Sequence, residues 1–192
     1  MGKLSAKSLK TKTSFPLLFA LSIIPDIDIL FEPFLEHRGP AHSIVVAFIV
    51  FVPVFAIYRK EAIPYFIAII QHSLVGDYIT GGRIQLLWPV TSQYYGMNRS
   101  ITDPVNTAIE WVAFLISLIV MLRSKDMVKF FQPHKSNLIL AIPTFTVLLP
   151  TVLNYPLEVP ASLIPPHLAY TLLFLAAITI TLYRFLGKGF SR

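Results

Sequence analysis

Six residues whose side chains bind metal ions or carry protons lie within or beside long apolar segments of this chain. They are Asp26, Asp28, His37, His42, His72 and Asp77. An ionisable group in such a segment is costly unless it is paired or binds a metal. Because the 192-residue chain has no cysteine, imidazole and carboxylate groups must hold any metal. The pattern predicts a functional site with a divalent metal as its cofactor.

Asp26 and Asp28 follow Pro25 and are two residues apart. On a regular helix their side chains would point about 200° away from each other, so both reach one metal only if Pro25 breaks the helix. Two alternatives stay open: both aspartates bind the metal, or Asp28 binds it while Asp26 caps or orients. A third reading is a helix end in contact with water.

A short motif over residues 37–43 places two imidazoles and one guanidinium at the start of an apolar segment. Gly39 and Pro40 predict a turn and a helix start, which puts His42 in the first helical turn. Histidine nitrogens suit zinc, iron or manganese, and Arg38 offers a planar fork for a phosphate or carboxylate. The alternative is an interfacial loop whose histidines are solvated.

His72 and Asp77 are five residues apart, about 140° around an ideal α-helix, which is a poor arrangement for binding one metal. A π-bulge, which Gly76 would permit, brings two such residues together and is frequent at functional sites. Without that distortion, one of the two residues is a ligand and the other lies behind it.

Glu110 lies in an apolar run further along the chain. It is predicted to bridge metals or act as a general base, and an ion pair with Arg83 or Arg99 is the alternative. His134 is expected to be solvated, and His167 is an additional candidate ligand. These candidates outnumber the three protein ligands of a catalytic zinc. The surplus fits two ions about 3.5–4 Å apart. The expected metal is zinc, with manganese or iron as alternatives.

The elements that must position these residues are predicted to be membrane-spanning helices. The chain is 55% hydrophobic and 14% charged, with a mean hydropathy of +0.66, which is too apolar for an ordinary soluble domain. We expect an all-α, polytopic bundle forming a single transmembrane domain over residues 1–192. Its six predicted spans are residues 14–31, 41–58, 62–80, 105–122, 138–154 and 163–185.

The distribution of basic residues predicts the orientation of these spans. With both termini in the cytoplasm, thirteen lysines and arginines lie inside and three outside. This places the candidate ligands on the extracytoplasmic side, in a metal-site core over about residues 20–110 that precedes the C-terminal spans of residues 137–186. Because the basic residues flank apolar runs, the net charge of +6 does not indicate a nucleic-acid partner.

Several motifs in fixed order carry a family resemblance: Ile24-Pro25-Asp26-Ile27-Asp28, His37-Arg38-Gly39 with His42-Ser43, then His72, Asp77, Thr80 and Leu86-Leu87-Trp88-Pro89. The region resembles the YdjM-type family of LexA-binding, inner-membrane-associated, metal-dependent hydrolases. The resemblance implies a hydrolase of the cell membrane with Asp28, His42, His72 and Asp77 as ligands, distantly similar to zinc-dependent phospholipase C.

The chain departs from that family pattern at three places. It has no histidine near its N-terminus, and Ala41 stands where threonine is usual. Four residues separate His72 from Asp77, where the family pattern has three.

These observations predict a multi-pass, membrane-embedded, metal-dependent hydrolase acting on a phosphoester or lipid-linked substrate at the extracytoplasmic face. Its partners would be membrane lipid and a small or lipid-linked substrate, with the oligomeric state open. The predicted catalytic residues are Arg38, Glu110 and Asp26, and the predicted metal ligands are Asp28, His37, His42, His72 and Asp77. A metal or ion transporter using the same cluster is the alternative, and a non-catalytic scaffold is a third reading.

Overall fold

The computed structural model describes residues 1–31, 34–155 and 159–187, and the fold over these residues is helical. Within the described ranges there is no strand, and the single isolated bridge joins Ile84 to Tyr95. The all-α prediction is therefore confirmed. The chain divides into two compact units, Met1–Asn106 and Thr107–Arg192. A single transmembrane domain over the whole chain stays a prediction.

The first unit is built from short helices. In chain order these are α1 (Gly2–Ser8), α2 (Phe15–Leu21), a 3₁₀ helix (Ile24–Phe31), a 3₁₀ turn (Pro40–His42), α3 (Ile44–Tyr58), a 3₁₀ turn (Arg59–Glu61), α4 (Ile63–Gln71) and a π-helix (His72–Thr80) that continues α4. Ser43 caps α3 because its hydroxyl accepts the backbone N–H groups of Val45 and Val46. Proline lies in the first turns of α2 and α4, where its missing N–H costs nothing.

Close packing joins these helices into one body. A Cβ added at Gly2 would lie 2.6 Å from the carbonyl oxygen of Pro64, so α1 packs against α4 at a distance that only glycine allows. The rings of Phe51 and Phe66 stack with centroids 4.2 Å apart and join α3 to α4. Since α3 and α4 form a hairpin, the start of α3 lies near the π-helix that follows α4.

The segment between the π-helix and α5 is fastened to the start of α3. The Ser43 hydroxyl donates to the carbonyl of Leu86 at 3.2 Å, and the same carbonyl accepts the backbone N–H of Ile44 at 3.0 Å. The backbone N–H of Gln85 donates to the carbonyl of Arg38 at 3.0 Å. These hydrogen bonds therefore hold residues 37–43 in place.

The second unit contains most of α5 and the remaining helices. They are α5 (Pro104–Arg123), α6 (Asp126–Phe130), a 3₁₀ helix (Lys135–Leu140), α7 (Ala141–Pro143), a π-helix (Thr144–Leu148), α8 (Leu149–Leu153), a 3₁₀ turn (Ala161–Leu163) and α9 (Ile164–Gly187). The rings of Phe130 and Phe174 stack in its core. Buried Asn137 donates to the Thr181 hydroxyl at 3.2 Å, which ties the 3₁₀ helix to α9.

Three helices among the described residues are long and apolar enough to cross a membrane: Pro104–Arg123, Lys135–Leu153 and Ala161–Leu186. They correspond to the predicted spans 105–122, 138–154 and 163–185. The described part of the chain does not support six spans, nor the orientation with both termini inside.

Local sequence explains why the first three predicted spans, 14–31, 41–58 and 62–80, are not such helices. The first is divided between α2 and the 3₁₀ helix that contains Pro25. The 15 residues of α3 rise only about 22 Å, less than a hydrocarbon core of about 30 Å. The third carries Gln71, His72 and Asp77 and changes from α to π geometry.

Candidate metal centre

Four side chains of the first unit converge on one point. The ligand atoms are Asp26 Oδ1, His42 Nε2, His72 Nε2 and Asp77 Oδ2. From Asp26 Oδ1, His42 Nε2 is 3.2 Å away and His72 Nε2 is 3.1 Å away. From Asp77 Oδ2, the same two nitrogens are 3.3 and 3.2 Å away. Nitrogen and oxygen thus alternate around a closed ring of four atoms, all within 4.8 Å of one another.

The size of this ring matches the separation of ligands around a metal ion. Bonds of about 2.0–2.1 Å place neighbouring ligands of tetrahedral zinc roughly 3.3–3.4 Å apart. Bonds of about 2.2 Å place neighbouring ligands of a six-coordinate ion roughly 3.1 Å apart. The four nitrogen–oxygen separations of 3.1–3.3 Å around the ring lie between these values. The ring therefore fits a divalent ion of either geometry.

Hydrogen bonding alone accounts poorly for this arrangement. Each Nε2 carries at most one hydrogen, yet each faces two carboxylate oxygens at similar distances. These distances exceed the 2.7–2.9 Å of charge-assisted hydrogen bonds. Asp77 Oδ2 is buried and has no hydrogen-bond partner among the described residues. A buried carboxylate oxygen left without a donor is what a metal ligand looks like when only protein atoms surround it.

Asp28 lies behind the ring rather than in it. It is fully buried, and its Oδ2 is 3.2 Å from His42 Nδ1, the nitrogen that faces away from the ring. Its Oδ1 lies 2.9 Å from His37 Nδ1, and its Oδ2 accepts the backbone N–H of Arg38 at 3.1 Å. A carboxylate behind a ligating histidine fixes the orientation of its ring and raises its basicity.

Electrostatics favour a cation at this point. Burial alone lowers the pKa of His42, which lies outside the three membrane-length helices. Hydrogen bonding with Asp26 and Asp28, together with the charges of Asp77 and Asp26, more than offsets burial and raises that pKa to about 9. A buried imidazole that holds a proton this firmly is surrounded by excess negative charge, which a divalent ion would neutralise.

The π-helix aligns two of the four ligands. His72 is its first residue, and Asp77 follows five residues later. A helix with i→i+5 hydrogen bonds places residues five apart one above the other, whereas an α-helix would turn them to different faces. The predicted distortion is present, and it extends over the whole of His72–Thr80.

The Arg38 guanidinium lies beside the ring and close to Gly81 and Gly82. Its Nε is 3.4 Å from Asp77 Oδ1. A Cβ added at Gly82 would lie 2.5 Å from Arg38 Nη1, and one added at Gly81 would lie 3.0 Å from Nη2. The guanidinium therefore occupies space that two side chains would otherwise take, and its partial exposure leaves it accessible to an anion.

The structure distributes the predicted site residues over distinct positions. His42, His72 and Asp77 meet in the ring, and Asp26, predicted as a catalytic residue or as a second ligand, completes it. Asp28 and His37 form a neighbouring group with His42. Their roles stay predictions, as do those of Arg38 and Glu110.

Three other candidates belong to the second unit. Glu110 is on α5. His134 is exposed and pairs with Ser136, as expected for a solvated residue. His167, in the first turn of α9, donates through Nδ1 to the carbonyl of Leu163 at 2.7 Å.

Two contributions to the site were not predicted from the sequence. Gly81 and Gly82 shape the position of Arg38, and the only available signal was two glycines directly after the π-helix. Ser43 holds the outer segment in place, and its position directly after His42 was the only hint.

Three described helices are long and apolar enough to cross a membrane, and a buried cluster of aspartate and histidine could hold a metal. These features are those of an integral membrane protein with a candidate metal centre. The family model of the YdjM inner membrane proteins matches residues 1–157, and the chain belongs to that family. Neither the curated proteins nor the solved structures contain a match. The family places the protein in the inner membrane; LexA binding and hydrolysis stay predictions.

The π-helix makes a prediction about chain length. Deleting Gly76 should convert the segment to α geometry and leave His72 and the aspartate four residues apart, which an α-helix places on one face. We expect metal binding to survive within about tenfold, since both ligands still meet. Inserting one alanine after Gly76 should instead turn the two apart and abolish binding. Metal titration of both purified variants checks this, and loss of binding in the deletion alone would contradict it.

Proposed function

We propose that this protein is a membrane-embedded, metal-dependent hydrolase that cleaves a phosphoester. The observation that supports it best is the ring formed by Asp26, His42, His72 and Asp77, with Arg38 directly beside it. A metal next to an arginine is the combination needed to bind and polarise a phosphoryl group.

The ligand set favours an ion with more than four coordination positions. Four protein ligands fill a tetrahedral site, and catalysis requires an open position. Two imidazoles and two carboxylates suit manganese or iron, and zinc in an expanded coordination. When bound, such an ion acts as a Lewis acid toward a phosphoryl oxygen and lowers the pKa of water. We assign one ion to the ring, because Asp28 already binds His37 and the Arg38 backbone.

The remaining residues have separate tasks in this proposal. The Arg38 guanidinium binds the anionic group of the substrate and holds it against the ring. Asp28 orients His42 by its contact with His42 Nδ1, and it orients His37 by its contact with His37 Nδ1. His37 Nε2 then carries a proton to or from the reacting group, as an imidazole oriented by a carboxylate does in other hydrolases.

We further propose that the ring faces the extracytoplasmic side, with both termini in the cytoplasm. The excess of lysine and arginine in the N-terminal segment and around residues 123–135 supports this orientation.

Removing one ligand should remove the metal. We expect purified wild-type protein to hold about one divalent ion per chain, and His42→Ala to lower metal affinity by more than about 100-fold. His134→Ala is the matched control, because that histidine is exposed and lies in the other unit. Elemental analysis and hydrolysis of bis(p-nitrophenyl) phosphate are the measurements.

The result separates the proposed hydrolase from a transporter. Full metal loading and turnover in His42→Ala would contradict the proposal. Metal loading without hydrolysis, together with metal flux into proteoliposomes, would favour the transporter instead.

Gly82→Ala should displace the Arg38 guanidinium without disturbing the ring, because the new Cβ meets only the end of a flexible side chain. We expect kcat/KM to fall at least about tenfold while metal content is unchanged. Arg38→Ala should cause a similar loss, and the double variant little more, since both changes remove one interaction. Additive losses in the double variant would show that Gly82 acts in another way.

The cysteine-free chain allows a direct test of orientation. Single cysteines at Lys12, Ser92 and Lys135 should react differently with a membrane-impermeant maleimide in intact spheroplasts. We expect rapid labelling of the Ser92→Cys variant and labelling of the other two only after lysis. Labelling of the Lys12→Cys variant in intact cells would reverse the proposed orientation.

A further inference from the structure

Two helices of the second unit, α5 and α9, run in the same direction. Trp111 of α5 donates through Nε1 to the carbonyl of Ser162, just before α9 begins, at 2.9 Å. Further along both helices, the Tyr170 hydroxyl donates to the Ser117 hydroxyl at 2.8 Å. Because the two contacts advance together, the C-terminal ends of α5 and α9 lie on the same side of this unit.

The third membrane-length helix begins on that side. The ammonium of Lys135, its first residue, lies 5.9 Å from the centre of the Phe185 ring near the end of α9. Exposed basic residues therefore gather where the three helices meet, and we name them the cationic end: Arg123, Lys125, Lys129, Lys135 and Arg184. Between residues 123 and 135 the only acidic residue is Asp126.

Helix α6, which lies between the first two of these helices in the chain, is fixed to the unit along one side. The ring of Phe130 stacks on that of Phe174 in α9, with centroids 5.8 Å apart, and both rings are buried. Asp126, the first residue of α6, is buried as well. This pair of residues defines the inner side of the helix.

The contacts of Asp126 keep its charge away from the surface. Its Oδ2 accepts the Ser124 hydroxyl, and its Oδ1 accepts the Lys129 ammonium at 2.7 Å. The carboxylate is thus engaged inside the unit, with one of the surrounding cations. Arg123 and Lys125 remain exposed on the surface beside it.

The opposite side of α6 is apolar and exposed. Val128 is two residues from both Asp126 and Phe130, which turns it about 200° away from each of them. It is 56% exposed, and Phe131, directly after the helix, is 50% exposed. An apolar outer side flanked by basic residues is the pattern of a helix that lies in the head-group region of a membrane.

We propose that α6 lies in the interface of the bilayer, where Arg123 and Lys125 bind the phosphate of an anionic phospholipid. Val128 and Phe131 enter the boundary between the head groups and the acyl chains. The position favours a lipid over a soluble anion, because α6 directly follows a membrane-length helix in a protein of an inner membrane family. With the proposed orientation this is the cytoplasmic leaflet. The inference does not depend on the metal centre.

The depth of α6 is tested with a nitroxide label, since the cysteine-free chain needs no other substitution. The label is attached to Val128→Cys or, as the matched control, to His134→Cys at an exposed polar position after α6. The full chain is reconstituted in vesicles of phosphatidylcholine and phosphatidylglycerol. Power saturation then compares collisions with oxygen, which enters the bilayer, and with a water-soluble nickel chelate. We expect the label at 128 to collide mainly with oxygen and the label at 134 mainly with the chelate.

Two results of this measurement would overturn the proposal. Equal access of both labels to the nickel chelate would show that α6 lies in water. Spectral broadening of the label at 128 that disappears on dilution with unlabelled protein would show that a second copy of the chain covers α6.

Recognition of the head group is tested with a fluorescent label on Val128→Cys. The quencher is phosphatidylglycerol or phosphatidylcholine with the same brominated acyl chains. We expect phosphatidylglycerol to quench at least about threefold more strongly at low salt, and added salt to reduce this preference by screening. Arg123→Gln combined with Lys125→Gln should remove the preference. Arg123→Lys combined with Lys125→Arg keeps both charges and should retain it.

A control variant separates a local site from an effect of net charge. Arg59→Gln combined with Lys60→Gln removes the same charge at exposed positions of the first unit, and we expect it to leave the preference unchanged. An equal loss in this control would overturn the proposal. So would a preference that persists in the glutamine variant of residues 123 and 125, or the lack of any preference in the original sequence.

Discussion

The first unit depends on the burial of one imidazole between two carboxylates. His42 is fully buried, with Nε2 facing Asp26 and Nδ1 facing Asp28. Side chains two residues apart on a 3₁₀ helix point about 120° away from each other. Asp26 and Asp28 can therefore reach opposite edges of the His42 imidazole. A regular α-helix over the same residues would turn one aspartate away. The 3₁₀ geometry after Pro25 therefore makes the site possible, and it is also what breaks the first predicted span.

Concentrating aspartates around two histidines has a cost that the rest of the fold must offset. Asp26 and Asp77 face each other across the ring, and like charges in a low-dielectric region repel strongly. Protons on the imidazoles relieve part of this repulsion, and Arg38 beside Asp77 relieves more. A divalent ion relieves it most completely, because it binds all four groups at once. Binding of the divalent ion that we propose would therefore be coupled to folding of the unit.

The sequence predicted the chemistry of the site better than its geometry. Ionisable residues in apolar segments are rare enough that His42, His72 and Asp77 stood out by type alone. The offset of His72 and Asp77 left a π-bulge as one of two alternatives, and the structure has a π-helix there. That Asp26 lies in the ring and Asp28 behind it was not predictable, because this depends on the helix type after Pro25. Span counting failed for residues 14–80, since apolar composition does not reveal where the backbone leaves α geometry.

The shortness of α3 links the chemistry to the bilayer. The helix runs from the metal centre at Ser43 to the charged turn at Arg59 and Lys60 over about 22 Å. If that turn lies among head groups on one side, the ring lies roughly 8 Å short of the opposite edge of a hydrocarbon core of about 30 Å. A site at that depth is reached from the lipid more easily than from water.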